Sequence, residues 1–184
     1  WQQDEVGNIV VRRPGSGGGE SAPTVVIQSH VDMVCEKNSD VEHDFNRDPI
    51  RLLRDGDWLT ADGTTLGADN GIGVATALAL LEMAANARLP PLECLFTVDE
   101  ETGLTGAFAL DGALLQGRTL LNLDTEEWGA ICIGCAGGGD SELTLPVSRE
   151  ASPGDYLSFQ LSVEGLMGGH SGVNIHEYRA NAIV

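Results

Sequence analysis

Apolar and polar positions form alternating blocks along the first 135 residues, and these blocks predict strands and helices in turn. Thr24–His30 is a continuous apolar run that ends in polar residues, which is typical of a buried central strand. Ile72–Ala87 is rich in Ala and Leu and contains no Pro, so it predicts a strong buried helix. Further strands are predicted over 7–12, 92–98, 119–124 and 130–135, and a short helix over 106–115. This order predicts an α/β fold, a mixed sheet with helices on both faces.

Two other stretches have a different pattern. Residues 35–64 are polar and irregular, with turn signals at Asp48-Pro49 and Asp55-Gly56. From Ser141 onward apolar and polar residues alternate, around 143–147 and again around 159–163, which predicts antiparallel strands with one solvated face. The change in composition predicts two domains, residues 1–138 and 139–184, with the boundary in the Gly-rich segment near 137–139.

Composition and charge exclude several classes of function. The chain has 184 residues, with 10 Lys and Arg against 28 Asp and Glu, a net charge of −18. Such a surface repels phosphate backbones and anionic lipid, so we expect neither a nucleic acid nor a membrane partner. No uncharged run approaches the roughly 18 residues that a membrane span needs. Because the chain begins at Trp1 and ends within an apparent helix, we expect it to be a fragment of a longer protein.

The four cysteines suggest a reducing compartment. Cys132 and Cys135 are three residues apart on a predicted strand, so they face opposite sides, and no second CxxC motif completes a zinc site. Buried, reduced thiols in a cytosolic protein are therefore favoured over a metal or redox site, and we predict a cytoplasmic location.

Polar residues collect where the predicted buried strands end. His30 and Asp32 follow the first, Glu100 and Glu101 a second, and Asp124 a third, while Asp69 opens the long helix. Ligands of open α/β sheets bind beyond the carboxyl ends of the strands, so these segments deliver one imidazole and several carboxylates to one edge.

A divalent metal ion explains this clustering, because carboxylates brought together repel one another unless a cation compensates. The mixed ligand set suits Zn²⁺, with Mn²⁺ or Co²⁺ as alternatives. Asp32 shares a strand face with His30 and can orient its imidazole, and Glu100 and Glu101 point apart, so that one binds metal and the other serves as a base. Taken singly, each residue has a simpler explanation: a helix cap for Asp69, a solvated turn for the two glutamates, a hydrogen-bonded histidine for His30.

The motifs that carry these residues resemble the di-zinc, glutamate-carboxypeptidase-like metallopeptidases, and most closely the bacterial Xaa-His dipeptidases. The matching stretches keep their order over nearly the whole chain. They are residues 29–34, 36–40, 43–45, 48–50, 63–71, 100–103, 122–127, 135–138 and 168–172.

The resemblance implies a role for each residue. His30, Asp69 and Asp124 would bind one zinc ion, Asp69 would bridge to a second, and Glu101 would bind that second ion. Asp32 would orient His30, and Glu100 would be the general base and later the general acid. His170, in a lid domain of α+β type that begins at residue 139, would help to hold the substrate. A homodimer through that lid is a further expectation. The family's last zinc ligand is a histidine near the end of the full-length chain, and no candidate for it occurs here.

These implications lead to one predicted function and three alternatives. We predict metal-dependent hydrolysis of the peptide bond of small dipeptides, of the Xaa-His type, by a zinc-activated water with Glu100 as the base. The alternatives are an aminotripeptidase, an N-acyl amino acid deacylase, or an acidic metal-binding module without catalytic activity. We expect this fragment alone to bind metal weakly and to be inactive.

Overall fold

A computed structural model describes residues 1–125, 127–134, 142–163, 165–167, 176–177 and 179. The chain divides into two compact units, residues 1–130 and 131–184. The first unit contains every strand and helix found among the described residues. These are β1 (Gln2–Gln3), β2 (Ile9–Arg13), β3 (Val25–His30), β4 (Leu52–Asp55), β5 (Trp58–Ala61), α1 (Ala68–Glu82), β6 (Leu92–Thr97), α2 (Thr105–Ala109), a 3₁₀ helix (Gly112–Leu114) and β7 (Thr119–Asn122).

Five strands form a mixed sheet in the order β1-β2-β6-β3-β7. Strands β6, β3 and β7 run parallel, whereas β2 is antiparallel to β6 and β1 is antiparallel to β2. The two parallel connections pass through α1 and α2, as βαβ units require. The carboxyl ends of β3, β6 and β7 therefore meet at one edge of the sheet, which confirms the predicted α/β class.

Both faces of the sheet are covered, because alternate side chains of the central strands point to opposite sides. On one face, Ile27 and Phe96 pack with Ala77 of α1. On the other, Val26 and Leu95 pack against the leucines that follow α2 and form the 3₁₀ helix. Helices on both faces were predicted from the order of elements, and the packing agrees with that expectation.

Helix α1 is less buried than its Ala- and Leu-rich sequence predicts. Only Asn70, Gly73 and Ala77 are buried, on the side that faces the sheet, while Ile72 is 68% exposed. The backbone of Asp69 and Asn70 is not helical, so the regular helix begins after the predicted ligand Asp69. The helix also ends at Glu82, before Ala87, because the following residues form turns.

The region predicted to be irregular contains a β-hairpin. Strands β4 and β5 pair antiparallel across the predicted Asp55-Gly56 turn, where Gly56 has a positive φ of 60°. A glycine adopts this backbone conformation at little cost, so the predicted Asp55-Gly56 turn forms the turn of a β-hairpin. Both strands are short and largely exposed, and for that reason their sequences lack a clear buried face.

The strands predicted after residue 130 are absent from the described residues of that region. Residues 130–134, 142–163 and 165–167 contain neither strand nor helix. The apolar positions of the alternating pattern are exposed, Leu143 by 94% and Phe159 by 87%, and Pro146 lacks a backbone donor. Alternation alone does not form a strand without a hydrogen-bonded neighbour. The predicted boundary near 138 falls among residues 135–141, outside the described residues, and stays a prediction.

The cysteines differ from the expectation of buried thiols. Cys94 is buried in the sheet, whereas Cys35 and Cys132 are exposed, and all three are free. Cys135 lies outside the described residues. Within the described part of the chain, no helix combines the length and the apolar character needed to cross a lipid bilayer.

A buried carboxylate joins the centre of the sheet to the loop before β7. Glu93 accepts hydrogen bonds from Arg12 Nε at 2.9 Å, from the amide of Gln116 at 2.8 Å and from that of Gly117 at 2.9 Å. Burial alone would raise its pKa, but these donors favour the charged form and hold the pKa of Glu93 below its ordinary value.

The substitution Glu93→Gln is expected to lower the free energy of unfolding at pH 7 by about 2 kcal/mol, since hydrogen bonds to a charged acceptor are replaced by weaker ones. Because the pKa of Glu93 is lower in the folded state, its contribution is present above the ordinary pKa and is lost as the pH falls through the folded-state pKa. Denaturant unfolding at several pH values should therefore show a shallower acid loss for the variant. Glu82→Gln, at the exposed end of α1, should match the wild-type curve at every pH.

Candidate metal centre

Four segments bring the predicted ligands to one edge of the sheet. His30 is the last residue of β3, Asp69 lies in the non-helical first turn of α1, Glu101 follows β6, and Asp124 follows β7. Each position is beyond the carboxyl end of a parallel strand or at the start of the helix that connects two of them. The topology therefore explains why residues so far apart in sequence lie together.

The imidazole of His30 is the centre of this group. Its Nε2 lies 3.0 Å from Oδ1 of Asp69 and 3.6 Å from Oδ1 of Asp124. One ligand atom from each of His30, Asp69 and Glu101 lies within 4.8 Å of the other two. His30 is 1% exposed, whereas the Asp69 side chain is 47% exposed, so the site opens to solvent on the side of the carboxylates. The structure thus brings together all four residues that the sequence analysis selected as ligands.

The hydrogen bonds of His30 determine what Nε2 can do. Its Nδ1 lies 3.0 Å from the backbone carbonyl oxygen of Asp32. A carbonyl oxygen only accepts, so this contact assigns a proton to Nδ1 and, in the neutral ring, leaves a lone pair on Nε2. That lone pair faces carboxylate oxygens, which is favourable only when a cation, either a proton or a metal ion, lies between them. The donor set of one imidazole and three carboxylates fits a divalent ion such as Zn²⁺.

Asp32 contacts both His30 and the turn that carries the two glutamates. Its Oδ1 lies 3.4 Å from Nδ1 of His30, but the imidazole is held more closely by the Asp32 backbone carbonyl. The carboxylate instead accepts hydrogen bonds from the backbone amides of Glu100 and Glu101, each at 3.0 Å. These amides lower the pKa of Asp32 against the opposing effect of burial. Asp32 thus fixes both the histidine and the turn that carries the two glutamates.

Glu100 and Glu101 are separated by a turn and not by the alternation of an extended strand. The turn follows Asp99, whose φ is +56°, and the Asp99 side chain accepts hydrogen bonds from the hydroxyls of Thr102 and Thr105. Glu101 joins the cluster with His30, while Glu100 is not part of that three-residue cluster. The two glutamates differ in position because of this turn, and their predicted roles as ligand and base stay predictions.

The acidic groups in and beside the cluster oppose one another's ionisation. Burial raises the pKa of Glu100, of Glu101 and of Asp124, and the negative charge of Asp69 raises all three further. A hydrogen bond with Asp69 contributes to the shift of Asp124. For His30, burial lowers the pKa, but Asp69, Asp124 and Asp32 together raise it above its ordinary value. These shifts show that the cluster favours positive charge beside its carboxylates, which a metal ion would supply.

Glu100 and Asp124 line a cavity of about 220 Å³ beside the cluster. Its walls are largely apolar and include Leu95, Leu104 and Leu120. This apolar environment accounts for the raised pKa of Glu100, because a carboxylate loses hydration there and its charged form becomes less favourable. A larger cavity of about 590 Å³ lies around His43 and Arg51, but none of the cluster residues lines it.

Asn70 is a site residue that the sequence analysis missed. It is 4% exposed, and its Nδ2 donates to Oδ1 of Asp124 at 2.7 Å and to the carbonyl oxygen of Leu123 at 2.8 Å. The side chain therefore fixes the direction of Asp124 from the residue next to Asp69. The sequence signal for Asn70 is its place next to the predicted ligand Asp69, in the segment that opens the predicted helix; once buried there, its amide needs partners.

The contact of Asn70 with Gly73 gives a testable prediction. A Cβ at Gly73 would lie 2.2 Å from Oδ1 of Asn70, whereas a Cβ at Gly71, in the same helix, would have no atom within 4 Å. We expect Gly73→Ala to cost about 1–3 kcal/mol of stability through overpacking and to weaken metal affinity by displacing Asn70 from Asp124. Gly71→Ala should bind metal like the wild type and be no less stable. Calorimetric titration with Zn²⁺ and denaturant unfolding of both variants measure the two effects, and equal metal affinities would contradict the role of Asn70.

His170, the predicted substrate-binding residue, lies outside the described residues. Its position relative to the cluster stays a prediction.

Comparisons with known proteins agree with the resemblance found in the sequence. Residues 8–150 match the profile of a family described as Peptidase family M28. The chain is 51% identical over 181 residues to the cytosol non-specific dipeptidase of Escherichia coli (strain K12), covering 98% of this chain and 37% of that protein.

Solved structures show the same relationship. An aminoacylhistidine dipeptidase from Vibrio alginolyticus is similar with a TM-score of 0.72 and 44% identity, over 98% of this chain and 37% of that one. Aminopeptidase PepT from Bacillus cereus ATCC 10987 is similar with a TM-score of 0.53 and 27% identity, over 66% of this chain and 30% of that one. The chain therefore spans about 37% of the length of the first two relatives.

Proposed function

This chain belongs to peptidase family M28, and from that premise we propose that it forms the metal-binding part of a dipeptidase that hydrolyses Xaa-His dipeptides. The observation that carries the proposal is the imidazole of His30, whose Nε2 faces Asp69 at 3.0 Å and Asp124 at 3.6 Å. The choice of substrate rests on the names of the two relatives that align with 98% of the chain, a cytosol non-specific dipeptidase and an aminoacylhistidine dipeptidase.

Four residues would hold the metal. His30, Asp69 and Asp124 supply the three protein ligands that an open catalytic zinc site uses, and Asp69 and Glu101 would hold a second ion. A bound Zn²⁺ would supply Lewis-acid chemistry, polarising the substrate carbonyl and lowering the pKa of a bound water from about 15.7 to roughly 7. Mn²⁺ and Co²⁺ accept the same ligand set.

Glu100 is the proposed general base and general acid. Its pKa is raised by burial and by the neighbouring carboxylates, which brings the group closer to the range in which it can both take up and release a proton. In this proposal Glu100 takes a proton from the attacking water and returns it to the amine of the leaving amino acid. Asp32 keeps the glutamate in place through the amide of Glu100.

The residues from 139 onward are proposed to begin a lid domain, in which His170 contacts the carbonyl oxygen or the carboxylate of the substrate. We further propose a homodimer formed through this lid, which sedimentation velocity would measure. A cytosolic location is proposed from the printed name of the Escherichia coli relative and from the free thiols of Cys35, Cys94 and Cys132.

A substrate panel tests the proposal. The protein, extended to the length of its relatives and loaded with Zn²⁺, is assayed against Xaa-His dipeptides, other dipeptides, tripeptides and N-acyl amino acids. We expect the highest kcat/KM for Xaa-His dipeptides, loss of activity with a chelator, and no hydrolysis by the 184-residue chain alone. Aminotripeptidase activity is the second candidate, and the similarity to an aminopeptidase, PepT, favours it over hydrolysis of acyl amino acids. A preference for tripeptides or acyl amino acids would replace the proposed substrate, and a protein that binds no metal would overturn the proposed function.

A further inference from the structure

We propose that Asn8, on the opposite side of β6 from His30, is a positioning residue for Glu100 and Glu101. This inference rests on the proposed function, because it concerns the two glutamates to which that function assigns the base and a ligand. Asn8 touches neither of them. It acts through the two ends of the segment that carries them, residues 98–106, which includes the first two residues of α2 and is called the loop below.

The position of Asn8 follows from the register of the sheet. Strand β2 begins at Ile9, which pairs with Phe96 near the end of β6. Asn8 therefore lies just beyond the last paired residues, where β6 gives way to the loop. Beyond the last β2–β6 pair, the Oδ1 of Asn8 accepts a hydrogen bond from the backbone amide of Val98 at 3.2 Å.

The same side chain also reaches the other end of the loop. Asn8 Nδ2 donates to the carbonyl oxygen of Gly106 at 2.8 Å. Val98 and Gly106 are themselves hydrogen-bonded, from the Gly106 amide to the Val98 carbonyl at 3.1 Å. One side-chain amide thus joins both ends of the loop, in the way that a peptide group joins two strands.

Asn8 is held in this place by Asp4. The second hydrogen of Nδ2 goes to Oδ2 of Asp4 at 2.7 Å, and Oδ1 of Asp4 accepts from the amides of Val6, Gly7 and Asn8. Asn8 is 1% exposed. Both donors and the acceptor of its buried amide are therefore satisfied, and its orientation is fixed by groups outside the loop.

Only an amide provides this set of bonds. Alanine leaves the Val98 amide and the Gly106 carbonyl without their partner, and a carboxylate would face both the Gly106 carbonyl and Asp4. Asp32 holds the middle of the loop at the amides of Glu100 and Glu101. Removing Asn8 therefore frees the ends of the loop while Asp32 still holds its centre, so the glutamates shift without leaving the site.

The test measures metal affinity and fold stability separately, by calorimetric titration with Zn²⁺ and by denaturant unfolding. We expect Asn8→Ala to weaken Zn²⁺ binding about tenfold, as losses of supporting contacts around metal sites typically do. Ser16→Ala is the matched control, because Ser16 is a nearly buried residue whose Oγ donates to the Ala87 carbonyl at 2.7 Å, at the opposite end of β6. This variant should lose stability and keep the wild-type Zn²⁺ affinity.

A double-mutant cycle with Glu101→Gln distinguishes an effect of Asn8 on Zn²⁺ affinity through Glu101 from an effect of a generally less rigid fold. If Asn8 acts through Glu101, then Asn8→Ala changes Zn²⁺ affinity less than twofold when Glu101 is already glutamine. The full tenfold loss in that background would overturn the proposal, as would wild-type affinity in Asn8→Ala alone. If Asn8→Ala does not fold, Asp4→Asn replaces it as the test variant, because it weakens the hydrogen bond that holds Asn8 and changes no residue of the loop. We expect Asp4→Asn to cause a smaller loss of Zn²⁺ affinity. This loss should also disappear when Glu101 is glutamine. A wild-type protein that binds no Zn²⁺ would instead refute the proposed function.

Discussion

Replacement of Glu100 by alanine is expected to reduce kcat by about 10²–10⁴-fold or more while the content of bound zinc stays nearly unchanged. General bases contribute about that factor, and here the same group would also act as the acid. Glu100 lies beside the cluster of His30, Asp69 and Glu101 without belonging to it, so its removal leaves those ligands in place. The measurement is kcat on an Xaa-His dipeptide, combined with metal analysis of the purified variant.

Two further variants sharpen this expectation. Glu100→Gln keeps the size of the side chain but removes its basicity, so it should be about as inactive as the alanine variant. Glu101→Gln should bind less metal, keeping the ion held by His30, Asp69 and Asp124, and should lose activity, because Glu101 is in the three-residue cluster. Near-normal turnover in Glu100→Gln would refute the role of Glu100 as the base, and loss of metal from that variant would make Glu100 a ligand.

The clustering of His30, Asp69, Glu101 and Asp124 was predictable because it depends on a pattern that short segments already contain. Each buried parallel strand is an apolar run, and the polar residues that end it must lie at the sheet edge where the other strands also end. His30 and Asp124 were located in this way, without knowledge of the strand order. The order itself, with β6 between β2 and β3, did not need to be known for this inference.

The supporting residues were not predictable from the same pattern. Asn70 and Asn8 act through hydrogen bonds to partners 54 and 98 residues away, at Asp124 and Gly106. The spacing of residues along the chain does not reveal such a partner, because the two residues come together only when the strands pair. The β4–β5 hairpin was missed for a different reason: its strands are exposed on both faces and so lack alternation.

The strands predicted after residue 130 are absent from the described residues there, which shows that alternating polar and apolar residues do not by themselves predict a strand. The segments around Leu143 and Phe159 have the polar and apolar period of a strand, yet their apolar side chains are exposed and unpaired with any strand among the described residues. A strand depends on a neighbour as well as on its own sequence. The parallel strands of the first unit have such neighbours, which is why the same kind of reasoning succeeded there.

Replacement of Asp69 is expected to remove the metal ion while leaving the fold intact. Asp69 is 3.0 Å from Nε2 of His30, belongs to the cluster with Glu101, and raises the pKa of Asp124, so its charge acts on every other proposed ligand. Loss of a residue that only supports a metal ligand costs about 10–100-fold in affinity, and loss of a bridging ligand should cost more. The side chain is 47% exposed and precedes the regular part of α1, so little packing is lost. Metal analysis and unfolding of Asp69→Ala and of the isosteric Asp69→Asn test this expectation, with Glu100→Ala as the variant that keeps its metal. Wild-type zinc content in either Asp69 variant would remove Asp69 from the ligand set and leave His30, Glu101 and Asp124 to account for binding.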